Sequence, residues 1–182
     1  MIAGPAAAKT DYTDTIAAGR GAIRAAIQET KATSVSVALL SEGKVVWSQG
    51  FGEVTPQGAK PTATTTYGIG SVSKMVTTLA VMRLVDQGKI SLDAPVVRYI
   101  PDFSMLSPQY RQITVRMLLN HSAGLPGSDY ANGMSLEPIP GYVQQVLGAL
   151  RREPLKTTPG AMNVYCNDCF TLAGEVVARV SG

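Results

Sequence analysis

The sequence predicts an α+β fold whose helices gather to one side of a small antiparallel sheet. Three observations predict it. Polar and apolar residues alternate with a period of two from Ser34 to Leu40 and strand-like residues resume from Val45 to Phe51, the pattern of half-buried strands. Ser41-Glu42-Gly43-Lys44 separates these runs with turn residues, which makes them a hairpin. The remaining periodic segments carry helical spacing, and strands followed by a run of helices mark α+β rather than alternating α/β topology.

In chain order, Asp11 to Thr30 reads as a first helix, with Ile16, Ile23 and Ile27 on one face and Asp11 or Asp14 as its cap. The hairpin follows. Pro61 to Tyr67 is threonine-rich and expected to be extended. Gly68 and Gly70 then bend the chain into a helix from about Ser71 to Gln87, and Gly88 occupies the position after its end. A short helix is expected around Pro95 to Tyr99, and another from Thr114, as cap, to about Asn120. His121 to Pro140 is rich in Gly, Pro, Ser and Asn and reads as a long loop. Val143, Val146, Leu147 and Leu150 place a helix over Tyr142 to Arg152. A turn at Thr157 to Gly160 leads to Tyr165 and a last helix from about Asp168 to Val180.

Composition narrows the function. The chain has 182 residues, enough for one sizeable domain, with 45% hydrophobic and 16% charged residues, so it can bury a core. The net charge is only +3 and the arginines are scattered, which gives nucleic-acid binding little support. No apolar run reaches the length of a membrane span. Met1 to Ala8 is apolar but lacks a basic start and a full hydrophobic region, so it does not read as a signal peptide. Cys166 and Cys169 form a CxxC that reads as two small buried structural thiols, with a redox pair or half of a zinc site as alternatives. Zinc needs about four ligands, and the only histidine, His121, is distant in sequence. No metal site is therefore predicted.

The candidate chemistry begins at Tyr67-Gly68-Ile69-Gly70-Ser71-Val72-Ser73-Lys74-Met75. Residues three apart share a helix face, so Ser71 and Lys74 become neighbours while Ser73 and Lys74 diverge. A serine in the first helical turn has its own N–H among the unpaired donors there, where a developing oxyanion can be held. A nearby amine can activate the hydroxyl. The rival reading of Ser71 is a plain N-cap. Ser41 and Lys44 have the same spacing but sit on a hairpin turn that does not aim them at each other. Asn120-His121-Ser122-Ala123-Gly124 approaches the G-x-S-x-G elbow, yet follows a helix where an elbow follows a strand. With one histidine, a serine hydrolase would draw its base from lysine or tyrosine.

Four segments together are similar to the serine β-lactamase and penicillin-binding-protein-like family, in the branch of class C β-lactamases, D-alanyl-D-alanine carboxypeptidases and related carboxylesterases. Ser71 to Lys74 resembles its S-x-x-K. Gly88-Lys89-Ile90-Ser91-Leu92-Asp93-Ala94-Pro95 resembles the segment after its nucleophile helix, and His121-Ser122-Ala123-Gly124-Leu125-Pro126 resembles its H-T-S-G-L-P loop. Pro159-Gly160 followed by Tyr165-Cys166-Asn167 resembles its P-G turn and Y-x-N motif. Tyr130-Ala131-Asn132 is a second Y-x-N, but only Tyr165 follows a Pro-Gly turn and precedes a helix.

The resemblance implies a β-lactamase/transpeptidase-like fold. Residues 1–70 would contribute the N-terminal helix and hairpin, and residues 71–182 most of a helical subdomain. Ser71 would be the acylated nucleophile, Lys74 its activating neighbour, Tyr165 the general base and acid, and Asn167 a substrate-binding residue, with His121 structural and no cofactor or metal. The substrate would be a small ester, amide or β-lactam, in a periplasmic or secreted setting or, for an esterase, the cytoplasm. The family's later K-T-G or H-x-G motif does not occur among the 182 residues, so this chain corresponds to about the first half of such a protein, and the remaining strands would come from a complementary C-terminal chain or fragment. The alternative is a non-catalytic scaffold that binds penicillin or a partner.

Overall fold

The computed structural model describes residues 11–62, 64–127 and 137–182. Met1 to Ala8, Tyr130-Ala131-Asn132 and the middle of the loop between Leu125 and Pro140 lie outside them. The chain divides into two compact units, residues 1–67 and 68–182.

In the first unit, helix α1 spans Thr13–Thr30. Its start is held by Asp11, whose carboxylate accepts the Thr13 N–H at 2.9 Å. Strands β1 (Ser34–Ser41) and β2 (Lys44–Gly52) pair antiparallel, with Ser34 opposite Gly52 and Ser41 opposite Lys44. The two turn residues, Glu42 and Gly43, both have positive φ (48° and 72°), as a type I′ hairpin turn requires. The α1 helix lies on this hairpin: Arg20 Nε donates to Gln49 Oε1 at 2.8 Å, and a Cβ added at Gly19 would come within 3.0 Å of the Trp47 ring. Within Pro61 to Tyr67, expected to be extended, a turn joins Thr62 and Thr65. Thr65 N–H donates to the Thr62 carbonyl at 3.2 Å and Thr62 N–H to Thr65 Oγ1 at 2.8 Å, because threonine hydroxyls offer the backbone a local turn in place of a strand ladder.

In the second unit, a 3₁₀ turn at Gly70–Val72 leads into α2 (Ser73–Asp86). The helix expected from Ser71 thus opens in its tighter form, common at α-helix starts. It stops at Gly88, whose φ of 69° lets Lys89 N–H reach back to the Leu84 carbonyl at 2.9 Å. The helix expected near Pro95 is a 3₁₀ turn, Val96–Arg98, and a second such turn at Pro108–Gln112 carries the proline-at-first-position signal that a reading of period alone misses. Helix α3 (Val115–Leu119) is capped by Thr114, whose hydroxyl accepts the Met117 N–H at 3.3 Å. Helices α4 (Tyr142–Leu150) and α5 (Asn167–Ser181) complete the unit.

Its core is one cluster in which Val81, Ile100, Phe103, Leu118 and Leu172 are almost wholly buried. Packing α5 against α2, α3 and α4 makes the two ends of the site, separated by more than ninety residues of chain, part of one rigid core. Arg179 on α5 pairs with both Asp102 and Glu175. Among the described residues no helix is long and apolar enough to cross a membrane, and no group of three or more metal-ligating side chains occurs.

Candidate active site

The site lies within the second unit. Ser71 stands in the 3₁₀ turn and Lys74 one turn further on in α2, and the helical spacing brings Lys74 Nζ to 3.3 Å from Ser71 Oγ. The Ser71 hydroxyl hydrogen-bonds the Tyr165 hydroxyl, across 94 residues of chain. Lys74 Nζ also donates to Asn167 Oδ1 at 2.6 Å. All four residues expected from the sequence therefore meet, and the Ser71 hydroxyl is paired with Tyr165 and Lys74 in addition to its place at a helix start.

Tyr165 is delivered by a short extended segment that the 120–124 loop holds from one side. Gly160 N–H donates to the Ser122 carbonyl at 2.7 Å, and Val164 N–H to the His121 carbonyl at 2.9 Å. Cys166 N–H donates to His121 Nδ1 at 3.1 Å. Gly124 closes the loop against the chain before Pro159: its carbonyl accepts the Lys156 N–H at 2.8 Å, its φ is +75°, and an added Cβ would lie 2.2 Å from the Thr157 carbonyl oxygen. Only glycine fits both that backbone and that approach.

The site is open to solvent; Tyr165 is 51% exposed. Hydrogen bonding with the Lys74 ammonium first, and with Ser71 second, holds the Tyr165 phenol below its ordinary value of 10.0, since an adjacent cation and donors favour the phenolate. Lys74 Nζ lies 4.7 Å from the Tyr165 ring centroid and 5.6 Å from that of Phe170. Burial, and then the charge of Lys74, hold His121 below 6.5.

The rival serines are occupied elsewhere. The Ser122 hydroxyl is buried and donates to Asn120 Oδ1 at 2.7 Å. In the first unit, Ser41 Oγ accepts from the Tyr12 hydroxyl. The cysteine reading is corrected. Cys166 and Cys169 are both buried, as expected, but they are joined in a disulfide and are not free thiols. The first turn of α5 brings their Cα atoms to 5.4 Å, within the range a bridge spans. Sequence reasoning did not bring Phe170 to the site; its signal was the spacing of three from Asn167 along one helix.

Residues 20–182 match the family model described as beta-lactamase. Protein flp of Staphylococcus aureus is 28% identical over 157 residues, 85% of this chain and 31% of its own length. The octameric penicillin-binding protein homologue from Pyrococcus abyssi superposes with a TM-score of 0.78 at 29% identity, covering 91% of this chain and 39% of that one. EstCE1, a hydrolase with promiscuous acyltransferase activity, superposes at 0.77 with 28% identity, covering 89% and 46%. The chain thus spans from about a third to under half the length of these proteins.

Proposed function

The chain belongs to the beta-lactamase family, and from that premise we propose that it carries the nucleophile-bearing half of a serine hydrolase acting on an ester or amide through an acyl-enzyme on Ser71. One observation carries the reading: Ser71 Oγ is hydrogen-bonded at once to the Tyr165 hydroxyl and to Lys74 Nζ. In the proposed reaction Ser71 Oγ attacks the acyl carbonyl while its proton passes to the Tyr165 oxygen, made receptive by Lys74. Tyr165 returns that proton to the leaving alcohol or amine as the acyl–heteroatom bond breaks. Water then repeats the sequence on the acyl-enzyme and regenerates Ser71. Asn167, bonded to Lys74, fixes the amine and offers its amide N–H₂ to the bound acyl group.

Full activity is proposed to need a complementary C-terminal segment. Val72 in the 3₁₀ turn and Met75, Val76 and Leu79 on α2 are between 54% and 71% exposed, an apolar row beside the site of the kind that soluble chains cover. A monodisperse, well-folded 19.1 kDa monomer with full activity and no second fragment would refute this part.

The test is covalent labelling. The protein, with its complement where one exists, is treated with a fluorescent penicillin and a fluorophosphonate, and wild type is compared with Ser71→Ala by intact mass. An adduct on wild type alone is expected. A penicillin adduct that clears quickly marks a β-lactamase and a lasting one a penicillin-binding protein, while turnover of short p-nitrophenyl esters marks an esterase. No adduct at Ser71 with either probe sinks the hydrolase reading.

A further inference from the structure

We infer that His121 is the positioning residue for Tyr165, holding the main chain on both sides of that tyrosine and one face of its ring. The inference rests on the reading of Tyr165 as proton carrier for Ser71. Three contacts from one residue support it. The His121 carbonyl accepts the Val164 N–H at 2.9 Å, its Nδ1 accepts the Cys166 N–H at 3.1 Å, and its ring lies against that of Tyr165 with centroids 4.8 Å apart. Tyr165 is bracketed at the residue before and the residue after, so these two bonds and the ring contact together aim its hydroxyl at Ser71.

His121 occupies the left-handed position after α3, with φ +62°, a region in which histidine is enriched among non-glycine residues. The helix end itself sets this conformation: His121 N–H donates to the Leu118 carbonyl at 3.4 Å and Ser122 N–H to the Met117 carbonyl at 2.9 Å, the Schellman pairing. That turn carries the His121 carbonyl and ring to residues 164 and 166, and the ring also packs on Phe170 with centroids 5.2 Å apart.

The contact also fixes the proton. A ring nitrogen that accepts an amide N–H carries no hydrogen, so the neutral ring is protonated on Nε2. Protonating Nδ1 would set two donors face to face and add a second positive charge near Lys74. Among the described residues, the titratable and charged groups that face the ring include Lys74 from α2 and the Tyr165 phenol. At the start of α5, Cys166, which precedes the helix, and Cys169 are tied in a disulfide, and the carboxylate of Asp168 lies buried in the first turn. The end of α3 that precedes His121 is Leu118-Leu119-Asn120, without charge. Burial and Lys74 keep the ring neutral to a pH below 6.5. Acid below that point converts the acceptor into a donor and frees Tyr165.

His121→Asn and His121→Ala separate positioning from bulk structure. Asparagine tolerates the left-handed backbone and places Oδ1 near the position of Nδ1, but it does not titrate. In fluorophosphonate acylation of Ser71 followed against pH, the wild type should lose rate on an acid limb with its midpoint below 6.5. H121A should be slower by about a hundredfold at pH 8, the scale of a misplacement near 1 Å. H121N should recover about tenfold of that loss and lack the limb. A single imidazole signal in long-range ¹H–¹⁵N spectra, assigned by its absence from H121N, should show the Nε2–H tautomer. Equal rates and equal acid limbs in all three proteins would overturn the positioning role while leaving the Ser71 reading intact. If the wild type does not label at all, the Ser71 reading fails, and the tautomer decides the rest: an Nδ1–H ring overturns the contact on which the inference stands.

Discussion

Replacing Gly124 with alanine tests whether the loop that carries His121 is locked to the segment that carries Tyr165. Gly124 has φ +75°, and a Cβ built there would lie 2.2 Å from the Thr157 carbonyl oxygen and 3.1 Å from Thr157 Oγ1, an oxygen that is buried with no hydrogen-bond partner among the described residues. The left-handed conformation alone costs a residue with a Cβ about 1–2 kcal/mol. Relieving the clash moves the two backbones apart and weakens the bonds from Lys156 and Thr157 N–H to the Gly124 carbonyl, at 2.8 and 3.4 Å, which are worth roughly 1 kcal/mol each. The sum is a destabilisation of about 2–4 kcal/mol, or roughly 5–15 °C in Tm for a chain of this size. Thermal and urea unfolding followed by far-ultraviolet circular dichroism measure it. Gly21→Ala is the control: it lies inside α1 with nothing within 4 Å of the added Cβ, and it should stabilise the helix by about 0.5–1 kcal/mol. A Gly124→Ala protein melting within a degree of wild type would refute the reasoning.

Tyr165→Phe keeps the ring against His121 and Lys74 but removes the oxygen paired with Ser71; acylation of Ser71 should fall by about 10²–10⁴-fold with little change in melting temperature, and an unaltered acylation rate would remove Tyr165 from the mechanism. Lys74→Met deletes the first cause that holds the Tyr165 phenol below 10.0, so its titration, followed in ultraviolet difference spectra against Tyr165→Phe, should move upward; a downward move or none contradicts the assigned coupling. Asp102→Asn breaks the pair with Arg179, which holds the Asp102 carboxyl below its ordinary 3.8. A depressed carboxylate stabilises above the unfolded value and loses that contribution as pH falls through the folded one. The half-exposed pair should therefore contribute at most about 1 kcal/mol at pH 7, and urea midpoints of the variant and wild type should converge below pH 3.8.

Much of this was legible because it is local. The hairpin turn announces itself in Glu42-Gly43, which the register Ser41 opposite Lys44 then requires. The Ser71 to Lys74 contact follows from helical spacing. Tyr165 is different: no periodicity joins it to Ser71, and only its place after Pro159-Gly160 separated it from Tyr130. The cysteines show the opposite failure, since a spacing of three is shared by zinc ligands, redox pairs and helix-start disulfides, and the sequence alone does not say that the two sulfurs are bonded. Thr62 to Thr65 was misread because hydroxyl-to-backbone bonds compete with strand pairing and leave no periodic trace. The dual grip of His121 on residues 164 and 166 depends on the turn that closes α3 and on contacts more than forty residues along the chain, which no local pattern announces.

Trp47 is the chain's single tryptophan, and it sits in the hairpin unit, edge-on to Phe51 with its Nε1–H given to Gln49 at 3.2 Å. Every tyrosine and histidine of the Ser71 cluster belongs to the other unit. The chain therefore carries an optical reporter confined to one unit. Emission excited at the red edge of tryptophan absorption reads residues 1–67 alone, so an unlabelled sample times the unfolding of that unit by itself.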